Sequence, residues 1–213
     1  RIAEAAGFDA VWASGFGISA VQAVPDANIL TLTETLESVR RMCDAVCVPV
    51  IADCDSGYGN AINVMRTAIE FERAGAAGIC IEDNGFPKRC SFYTGAPREL
   101  VPAVEHARKI EAATSARRRR GFAIIARTEA LIAGLGVDEA IERARTYAAA
   151  GADAILVHSK ASGFGELERF AARWDLPVPL IAVPTTYPTV GLETLRAAGF
   201  RMAIFANQAL RAA

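Results

Sequence analysis

The predicted fold class is α/β, with a parallel sheet whose strands alternate with helices. Three observations predict it. Short apolar runs recur along the whole chain, longer amphipathic stretches separate them, and four of those stretches end in Ala-Gly shortly before the next apolar run. Nearly continuous apolar runs are typical of parallel strands that are buried on both faces. A glycine directly after a helix suits a left-handed cap, so each Ala-Gly pair marks the end of a helix.

The apolar runs predict seven strands, over residues 9–14, 48–55, 78–83, 122–128, 154–158, 180–186 and 202–207. The long helix after the first strand begins near Thr31, because Thr31 and Glu34 have the spacing of a capping box. Apolar side chains then share one face of each of three helices: Leu32, Leu36, Val39 and Cys43; Ile62, Met65 and Ile69; and Ala140, Ile141, Ala144, Tyr147 and Ala148. His106 falls on a fourth predicted helix, where we expect a surface position.

Together these units predict a single domain over residues 1–213 with the fold of a (β/α)8 barrel of the TIM type. The sequence pattern predicts that the chain begins within a helix and that residues 210–213 lie just inside another. The first strand and the last helix of the barrel are therefore expected to lie outside this sequence. An open doubly wound sheet is the alternative, although its dinucleotide-binding form is disfavoured because no Gly-x-Gly-x-x-Gly turn follows the first strand.

The composition excludes several classes of protein. Of 213 residues, 52% are hydrophobic and 22% are charged, which is enough apolar surface for a core and argues against disorder. The 23 basic and 24 acidic side chains leave a net charge of −1, so neither nucleic acid nor an anionic membrane is expected as a partner. The basic run at residues 117–120 is interpreted as a solvated helix end. No apolar run approaches the roughly 20 residues that cross a bilayer.

The cysteines indicate a reducing compartment, and hence the cytoplasm. There are five, Cys43, Cys47, Cys54, Cys80 and Cys90, an odd number without the regular spacing of a disulfide framework. Cys43 and Cys47 are four residues apart, but neither a second pair nor a nearby histidine accompanies them, so zinc is not expected.

Polar side chains with potential chemistry stand at the carboxyl end of nearly every predicted strand. The positions are Ser14, Asp53 and Asp55, Glu82, Arg127, His158, Thr185 and Asn207. In a barrel these strand ends converge on one mouth, which is where barrel enzymes have their active sites. The sequence therefore predicts an enzyme.

Asp53, Asp55 and Glu82 form a group of oxygen ligands at this mouth. Asp53 and Asp55 are two residues apart on a strand, so both side chains can face the same side. Three converging carboxylates repel one another unless a cation lies among them. A set of oxygen ligands without Cys or His favours Mg²⁺, which retains several waters and binds substrate oxygens directly. The alternative is that these carboxylates, Asp55 above all, cap the helices that follow.

Arg127 and His158 are candidates for binding an anionic substrate. A buried guanidinium needs an anionic partner, and its geometry suits a carboxylate or a phosphate. The alternative for Arg127 is an internal ion pair with Glu129 or Glu82. His158 ends another strand, where a functional role is favoured over that of a core histidine.

Two long connections border the mouth. Residues 84–98 form a candidate lid, in which Lys88 and Arg89 could close over an anion and Cys90 is either a reactive thiol or a small filler. Residues 15–28 form the other connection, which carries Asp26. By itself, Asp26 is interpreted as a turn or cap residue.

Short segments over essentially the whole chain resemble one known superfamily. They lie at residues 12–16 (WASGF), 53–60 (DCDSGYGN), 81–83 (IED), 86–88 (FPK), 126–130 (ARTEA), 154–160 (AILVHSK) and 183–185 (VPT). Together they resemble the phosphoenolpyruvate mutase/isocitrate lyase superfamily, and within it the branch of phosphoenolpyruvate mutases and phosphonopyruvate hydrolases. The resemblance implies an α/β barrel that assembles as a homotetramer and exchanges its last helix between subunits.

The resemblance also implies roles for three overlapping sets of residues at the mouth. The Mg²⁺ ligands, partly through water, would be Asp53, Asp55 and Glu82; the substrate-binding set would be Ser14, Gly15, Phe16, Asp53, Arg127 and His158; and the catalytic set would be Asp26, Lys88, Cys90, Ser91, Arg127 and His158. Within the substrate-binding set, Ser14 and the backbone amides of Gly15 and Phe16 would bind the carboxylate of the substrate. Lys88, Cys90, Ser91 and Phe92 would lie on a gating loop.

The gating loop departs from the family pattern at Cys90. Mutases show Lys-x-Asn-Ser-Leu, the hydrolase shows Lys-x-Thr-Ser-Leu, and the carbon–carbon lyases show Lys-[Arg/Lys]-Cys-Gly-His, whereas residues 88–92 here are KRCSF. Cys90 is therefore lyase-like, but the Gly-His pair of the lyases is missing. Residues 23–30 resemble the hydrolase more than the mutases, and residues 158–160 favour the mutases.

The resemblance implies phosphorus–carbon bond chemistry on a small three-carbon acid. The first interpretation is a Mg²⁺-dependent mutase that interconverts phosphoenolpyruvate and phosphonopyruvate. A phosphonopyruvate hydrolase and a carbon–carbon lyase of the 2-methylisocitrate lyase type are the alternatives. A barrel that only binds an anionic metabolite is the non-enzymatic alternative.

Overall fold

The computed structural model describes residues 1–88, 90, 98–206 and 208, which contain seven strands and eight helices. The strands are β1 (Val11–Ala13), β2 (Val50–Asp53), β3 (Gly78–Glu82), β4 (Ala123–Thr128), β5 (Ala154–Val157), β6 (Leu180–Ala182) and β7 (Phe200–Ala203). The helices are α1 (Ile2–Ala5), α2 (Gly15–Val21), α3 (Leu32–Ala45), α4 (Ala61–Arg73), α5 (Ala103–Ala116), α6 (Gly136–Ala149), α7 (Gly165–Ala172) and α8 (Leu192–Ala197). Within these ranges, none of the helices has both the length and the apolar character needed to cross a membrane.

All seven strands belong to one parallel sheet, and each strand pairs with its neighbours in chain order. A doubly wound sheet reverses its strand order at a switch point, whereas a barrel adds its strands in sequence around one axis. The observed order therefore excludes the doubly wound alternative and confirms the predicted α/β barrel class.

The sheet is curled, so that its two ends approach each other. Phe8, just before β1, and Phe205, just after β7, meet edge to face with their ring centroids 6.0 Å apart. Strands β1 and β7 remain the two edge strands of the sheet, because they are first and last in its order. The described residues thus supply seven strands of a TIM-type barrel, and completion by an eighth strand and a further helix stays a prediction.

Side chains along the strands alternate between two apolar regions. Ile79 and Ile124, for example, point outwards into the main core between the sheet and the helices. A smaller apolar layer lines the inside of the curled sheet: Ile51, Cys80, Ile125, Leu156, Ile181, Val183 and Ile204. A residue two positions further along the same strand faces the same side, which places it above this layer.

The predicted strand boundaries differ from the observed ones mainly at the carboxyl ends. Strand β6 ends at Ala182, before Pro184, although the apolar run predicts a strand to residue 186. Proline has no N–H to donate to a parallel ladder, and the polar residues after most strands leave the sheet to line the mouth. The last strand begins at Phe200, two residues earlier than predicted.

The predicted capping box of α3 is confirmed, but α4 buries a different face from the predicted one. Ile62 and Met65 share a face with Ile69, yet 75% of Ile62 and 41% of Met65 are exposed. The buried stripe of α4 carries Val64 and Phe71 instead. This helix has two apolar stripes, and burial of the large Phe71 ring outweighs burial of the smaller aliphatic side chains.

His106 on α5 is buried, so its predicted surface position is wrong. The side chain is fully enclosed and lies edge-on to Tyr147 with ring centroids 4.6 Å apart. Within the described part of the chain, neither ring nitrogen of His106 has a hydrogen-bond partner. Loss of solvation, reinforced by Lys109 and Arg143, lowers the pKa of His106 to about 3. Folded His106 is therefore neutral at physiological pH.

We expect the protein to lose stability in mild acid through His106. The unfolded chain protonates this side chain near pH 6.5, whereas the folded protein does so only near pH 3. Stability therefore falls as the pH drops below 6.5, and at pH 5 the loss amounts to about 2 kcal/mol. Urea unfolding at pH 7 and pH 5 measures this loss. His106→Leu should reduce the difference between the two pH values by that amount, and an unchanged difference would contradict the expectation.

Candidate active site

Strand alternation builds the mouth of the barrel. Asp53, Glu82, Arg127 and His158 each follow an interior apolar residue by two positions, so all four point into the barrel at the carboxyl ends of β2 to β5. Three of them are buried, and Arg127 exposes 13% of its side chain. The structure thus brings these four predicted site residues together.

Arg127 lies at the centre of this group. Its Nε is 2.7 Å from Glu129 Oε1 and 3.2 Å from Glu82 Oε2. Its Nη1 is 3.9 Å from Asp53 Oδ2, and its Nη2 lies 2.9 Å from His158 Nδ1. Arg127 therefore forms the internal ion pairs expected as the alternative, with both Glu82 and Glu129. Its side chain nevertheless lies at the mouth.

Glu129 connects Arg127 to His158. Its side chain is fully buried, and its Oε1 is 2.9 Å from His158 Nδ1. Burial opposes the charge of this carboxylate, but Arg127 and His158 outweigh that effect and hold the pKa of Glu129 well below its ordinary value. Burial lowers the pKa of His158, although Glu129 acts against this shift. Glu129 is thus a fixed negative charge that orients a guanidinium and an imidazole.

A second ion cluster lies beside the first. Lys88 Nζ is 2.7 Å from Asp26 Oδ1 and also contacts Asp55 Oδ1. Asn28 completes the cluster, because its Nδ2 donates to Asp55 Oδ2 at 2.9 Å and its Oδ1 accepts the backbone N–H of Lys88. Asp26 is therefore a buried partner of Lys88 rather than a turn or cap residue. Lys88, which was expected to face an anion on the substrate, is paired here with carboxylates of the protein.

Two residues of this second cluster hold left-handed backbone conformations. The φ angle is +56° at Asn28 and +50° at Asp55. Residues other than glycine adopt this region infrequently, and such strain tends to occur at functional sites. Asn and Asp tolerate it better than most side chains do, because their short polar groups bond locally.

The carboxylates at the mouth hold an excess of negative charge. Burial raises the pKa of Asp55 to about 6 and that of Glu82 to about 7; neighbouring carboxylates add to both shifts, while Lys88 and Arg127 oppose them. Burial lowers the pKa of Lys88, but the surrounding carboxylates outweigh it and raise that pKa above its ordinary value. A divalent cation relieves this kind of repulsion between carboxylates.

The chemistry of Asp53, Asp55 and Glu82 fits Mg²⁺, because all three offer buried oxygen ligands. Gly15 leaves the space beside them open, since a Cβ at this position would lie 3.0 Å from Asp55 Oδ1 and 3.7 Å from Asp53 Oδ2. Among the described residues, no three potential ligands already stand around one point; the cationic groups of Lys88 and Arg127 lie among these carboxylates instead. Their role as Mg²⁺ ligands stays a prediction.

Ser14 is the N-cap of α2, and its Oγ accepts the N–H of Gly17 at 3.2 Å. The amides of Gly15 and Phe16 begin this helix, so they have no helical carbonyl four residues earlier to bond. Gly15 is buried, while 41% of Phe16 is exposed. Carboxylate binding by this segment stays a prediction.

The structure describes the predicted gating loop only in part. Arg89, Ser91 and Phe92 lie outside the described residues, as does Asn207 after the last strand. Cys90 is half-buried, and its carbonyl accepts a hydrogen bond from Arg98 Nη2 at 2.9 Å. Arg98 Nη1 also lies 3.5 Å from Glu129 Oε2, so Arg98 links the backbone of the loop to Glu129 at the mouth.

Three side chains that hold the mouth together are absent from the set predicted from sequence. Glu129 enters that prediction only as an alternative partner of Arg127, although its place at the end of the same strand was an available signal. Asn28 and Arg98 belong to loops, and their partners are distant in sequence; Asn28, for example, bonds Asp55 from 27 positions away. Only folding brings such groups together.

Comparison with known proteins gives consistent matches. A family model described as phosphoenolpyruvate phosphomutase matches residues 1–213. Phosphonopyruvate hydrolase from Variovorax sp. (strain Pal2) is 47% identical, with 100% of this chain and 74% of the relative covered. The crystal structure of phosphoenolpyruvate phosphomutase from Streptomyces platensis subsp. rosaceus is 52% identical and superimposes with a TM-score of 0.97, covering 100% of this chain and 74% of that one. A phosphonopyruvate hydrolase solved with oxalate and Mg²⁺ is 46% identical with a TM-score of 0.92, covering 99% and 72% of the two chains.

Proposed function

The chain belongs to the phosphoenolpyruvate phosphomutase family, and from this premise we propose that it is a Mg²⁺-dependent mutase that interconverts phosphoenolpyruvate and phosphonopyruvate. Members of the family are enzymes that act on small phosphonates or keto acids, and both mutases and a hydrolase are among the relatives of this chain. Mutase activity is the finer assignment that we propose.

One observation carries the proposal, namely the position of Arg127 between the carboxylates of the mouth and His158. Its Nε faces both Glu82 and Glu129, and its Nη1 lies 3.9 Å from Asp53 Oδ2. Its Nη2 lies 2.9 Å from His158 Nδ1. The oxygen donors of Asp53 and Glu82 suit a metal-bound organic acid, and the guanidinium together with the imidazole suits a phosphoryl group. A substrate with both groups would contact both sets of side chains.

We propose the following division of work among the residues of this chain. Arg127 and His158 bind the phosphoryl group as it leaves one atom of the three-carbon acid and until another atom recaptures it. Glu129 keeps both of them oriented. Ser14 and the amides that follow it receive the carboxylate of the substrate. In this scheme no protein side chain becomes covalently modified.

Asp53, Asp55 and Glu82 would hold Mg²⁺, in keeping with their buried oxygen donors. When bound, the ion supplies positive charge that stabilises the enolate oxygens of the three-carbon fragment. For that role the carboxylates must exchange their present partners, Lys88 and Arg127, at least in part. In this proposal Lys88 leaves Asp26 and Asp55 and moves with the gating loop, on which it lies. Asp26 is proposed to lie near the transferring phosphoryl group, as the family resemblance implies.

The loop that carries Cys90 decides between mutase and hydrolase in this proposal. If water reaches the phosphoryl group while it is detached, the products are phosphate and pyruvate. The 47% identity to a phosphonopyruvate hydrolase makes that activity the second candidate. Cys90 also matches the lyase pattern, so a carbon–carbon lyase is the third candidate, and metabolite binding without turnover is the last.

We also propose a cytoplasmic homotetramer with exchange of the last helix, on the strength of the family resemblance.

Phosphorus NMR of the full-length protein with phosphonopyruvate and Mg²⁺ tests the proposal. We expect a growing signal of phosphoenolpyruvate. Inorganic phosphate together with pyruvate would show the hydrolase instead. An unchanged spectrum would refute both activities and direct the next assay to lyase substrates such as 2-methylisocitrate.

Cys90→Thr should shift the products of that assay toward inorganic phosphate. The hydrolase pattern has Thr at this position, and a change of one hydrogen-bonding group is worth about 1 kcal/mol, or about fivefold in the product ratio. Cys90→Asn, which matches the mutases, should keep phosphoenolpyruvate as the main product. Cys47→Thr is a control, because Cys47 is exposed and its backbone N–H bonds Glu4 away from the mouth. Equal product ratios in all variants would refute the role of position 90.

A further inference from the structure

We infer that Tyr147 and Arg143, two residues of α6 outside the mouth, position the anion-binding pair through Asp83. The chain of contacts runs from α6 to Asp83, from Asp83 to Glu129, and from Glu129 to Arg127 and His158. Tyr147 and Arg143 are thus positioning residues and not catalytic ones. The inference rests on the proposed function, because it concerns the same site, but part of its test does not depend on turnover.

Asp83 is the centre of this network. It follows β3 directly and is fully buried. Its Oδ1 accepts the backbone N–H of Glu129 at 2.8 Å, and its Oδ2 accepts the hydroxyls of Thr128 at 3.0 Å and Tyr147 at 2.7 Å. Arg143 Nη1 lies 3.3 Å from the same Oδ2. One carboxylate therefore ties the end of β4 to helix α6.

Tyr147 and Arg143 hold this carboxylate from the helix side. They are one helical turn apart on α6, and Arg143 Nη1 lies 3.3 Å from the hydroxyl of Tyr147. Arg143 is fixed further by the carbonyl of Val101 at 2.9 Å and by Glu139 at 2.7 Å. Because each group has partners on several sides, the oxygen atoms of Asp83 have little freedom to move.

The position of Asp83 is passed on to the mouth through Glu129. The hydrogen bond that the Glu129 N–H donates to Asp83 fixes the backbone of Glu129. It therefore also fixes the point from which the Glu129 side chain enters the barrel. The Glu129 carboxylate then holds Arg127 Nε at 2.7 Å and His158 Nδ1 at 2.9 Å. A group that stabilises a transferring phosphoryl must be placed to within a fraction of an ångström, and a misplacement of about 1 Å can cost about 10²-fold in rate. A small shift of Asp83 is therefore expected to reach the chemistry.

Tyr187 offers a matched control for this network. It is buried like Tyr147, with only 1% of its surface exposed. Among the described residues, however, its hydroxyl has no hydrogen-bond partner. Tyr147→Phe and Tyr187→Phe thus remove the same atom from similar surroundings, but only the first change takes a hydrogen bond from Asp83.

The test uses the full-length protein and measures the ¹⁵N chemical shift of His158 together with steady-state kinetics. The chain has two histidines, so the signal that His106→Leu removes belongs to His106 and the other to His158. For Tyr147→Phe we expect a shifted His158 Nδ1 signal and a kcat for phosphonopyruvate lowered about tenfold. The Mg²⁺ concentration for half-maximal activity should stay unchanged. Tyr187→Phe should leave the His158 signal and kcat as they are.

Three results would overturn the inference: an unchanged His158 signal in Tyr147→Phe, an unchanged kcat in that variant, or equal effects from Tyr187→Phe. If the unmodified protein has no turnover with phosphonopyruvate, the proposed function fails. In that case the His158 ¹⁵N signal of Tyr147→Phe still shows whether α6 positions Arg127 and His158. The two failures are therefore distinguishable.

Discussion

Arg127→Met is expected to lower kcat/KM by about 10³-fold, because in the proposed mechanism the guanidinium stabilises the transferring phosphoryl group. The same change leaves Glu129 and Glu82 buried without their nearest cation, at 2.7 and 3.2 Å from the lost Nε. Removal of one partner from a buried ion pair costs about 3–5 kcal/mol of stability. Steady-state kinetics with phosphonopyruvate and urea unfolding measure the two effects separately.

Arg127→Lys separates the charge of this residue from its geometry. The ammonium of a lysine restores a cation beside the glutamates. It has only one nitrogen, however, whereas the guanidinium contacts Glu129 through one nitrogen and His158 through another. We therefore expect most of the stability to return and little of the activity. Arg145→Met is the matched control, because Arg145 pairs at the surface with Glu142 and Asp175. Full activity in Arg127→Lys would show that the forked geometry is not required.

Asp53→Asn is expected to lower activity by about 10³-fold, because in the proposed site the loss of one ligand charge removes several kcal/mol of metal-assisted charge stabilisation. The affinity for Mg²⁺, measured by calorimetry without substrate, should weaken by about 10²-fold. The asparagine keeps the size of the side chain and its acceptor for the N–H of Asp55, which Asp53 Oδ1 accepts at 3.2 Å. The fold should therefore be retained.

Asp138→Asn provides the comparison for this variant. Asp138 pairs with Arg173 at the surface and exposes 86% of its side chain, so its loss should change neither Mg²⁺ affinity nor activity. If Asp53→Asn binds Mg²⁺ as tightly as the unmodified protein does, Asp53 is not a ligand. Asp53→Ala serves as a second variant, since it leaves no amide oxygen that could substitute for the carboxylate.

Much of the mouth was predictable because it depends on local patterns. The side-chain period of a strand is two, and the apolar runs locate each strand to within a few residues. Asp53, Glu82, Arg127 and His158 therefore point into the barrel once the strands are parallel and in sequence. The order of strands was not fully predictable from these patterns, because a doubly wound sheet has the same alternation of elements.

The faces of the helices were harder to predict. Helix α4 has two apolar stripes, and the sequence does not show which of them meets the sheet; the structure buries Phe71 and exposes Ile62. His106 illustrates the same difficulty, since a polar residue on a helix is usually solvated. Only the packing of α5 against its neighbours encloses this histidine, beside Tyr147.

The amino-acid sequence by itself determined the parallel α/β class and the strand ends that carry acidic, basic and imidazole groups, because both follow from short-range periodicity. The tertiary structure alone decided which charges pair there. Lys88 meets Asp26 and Asp55 from 62 and 33 positions away, and Tyr147 meets Asp83 from 64 positions away. Such pairs depend on how loops and helices pack over the sheet. Long-range packing has no periodic signature in a single sequence, and for that reason the partners became visible only in the folded chain.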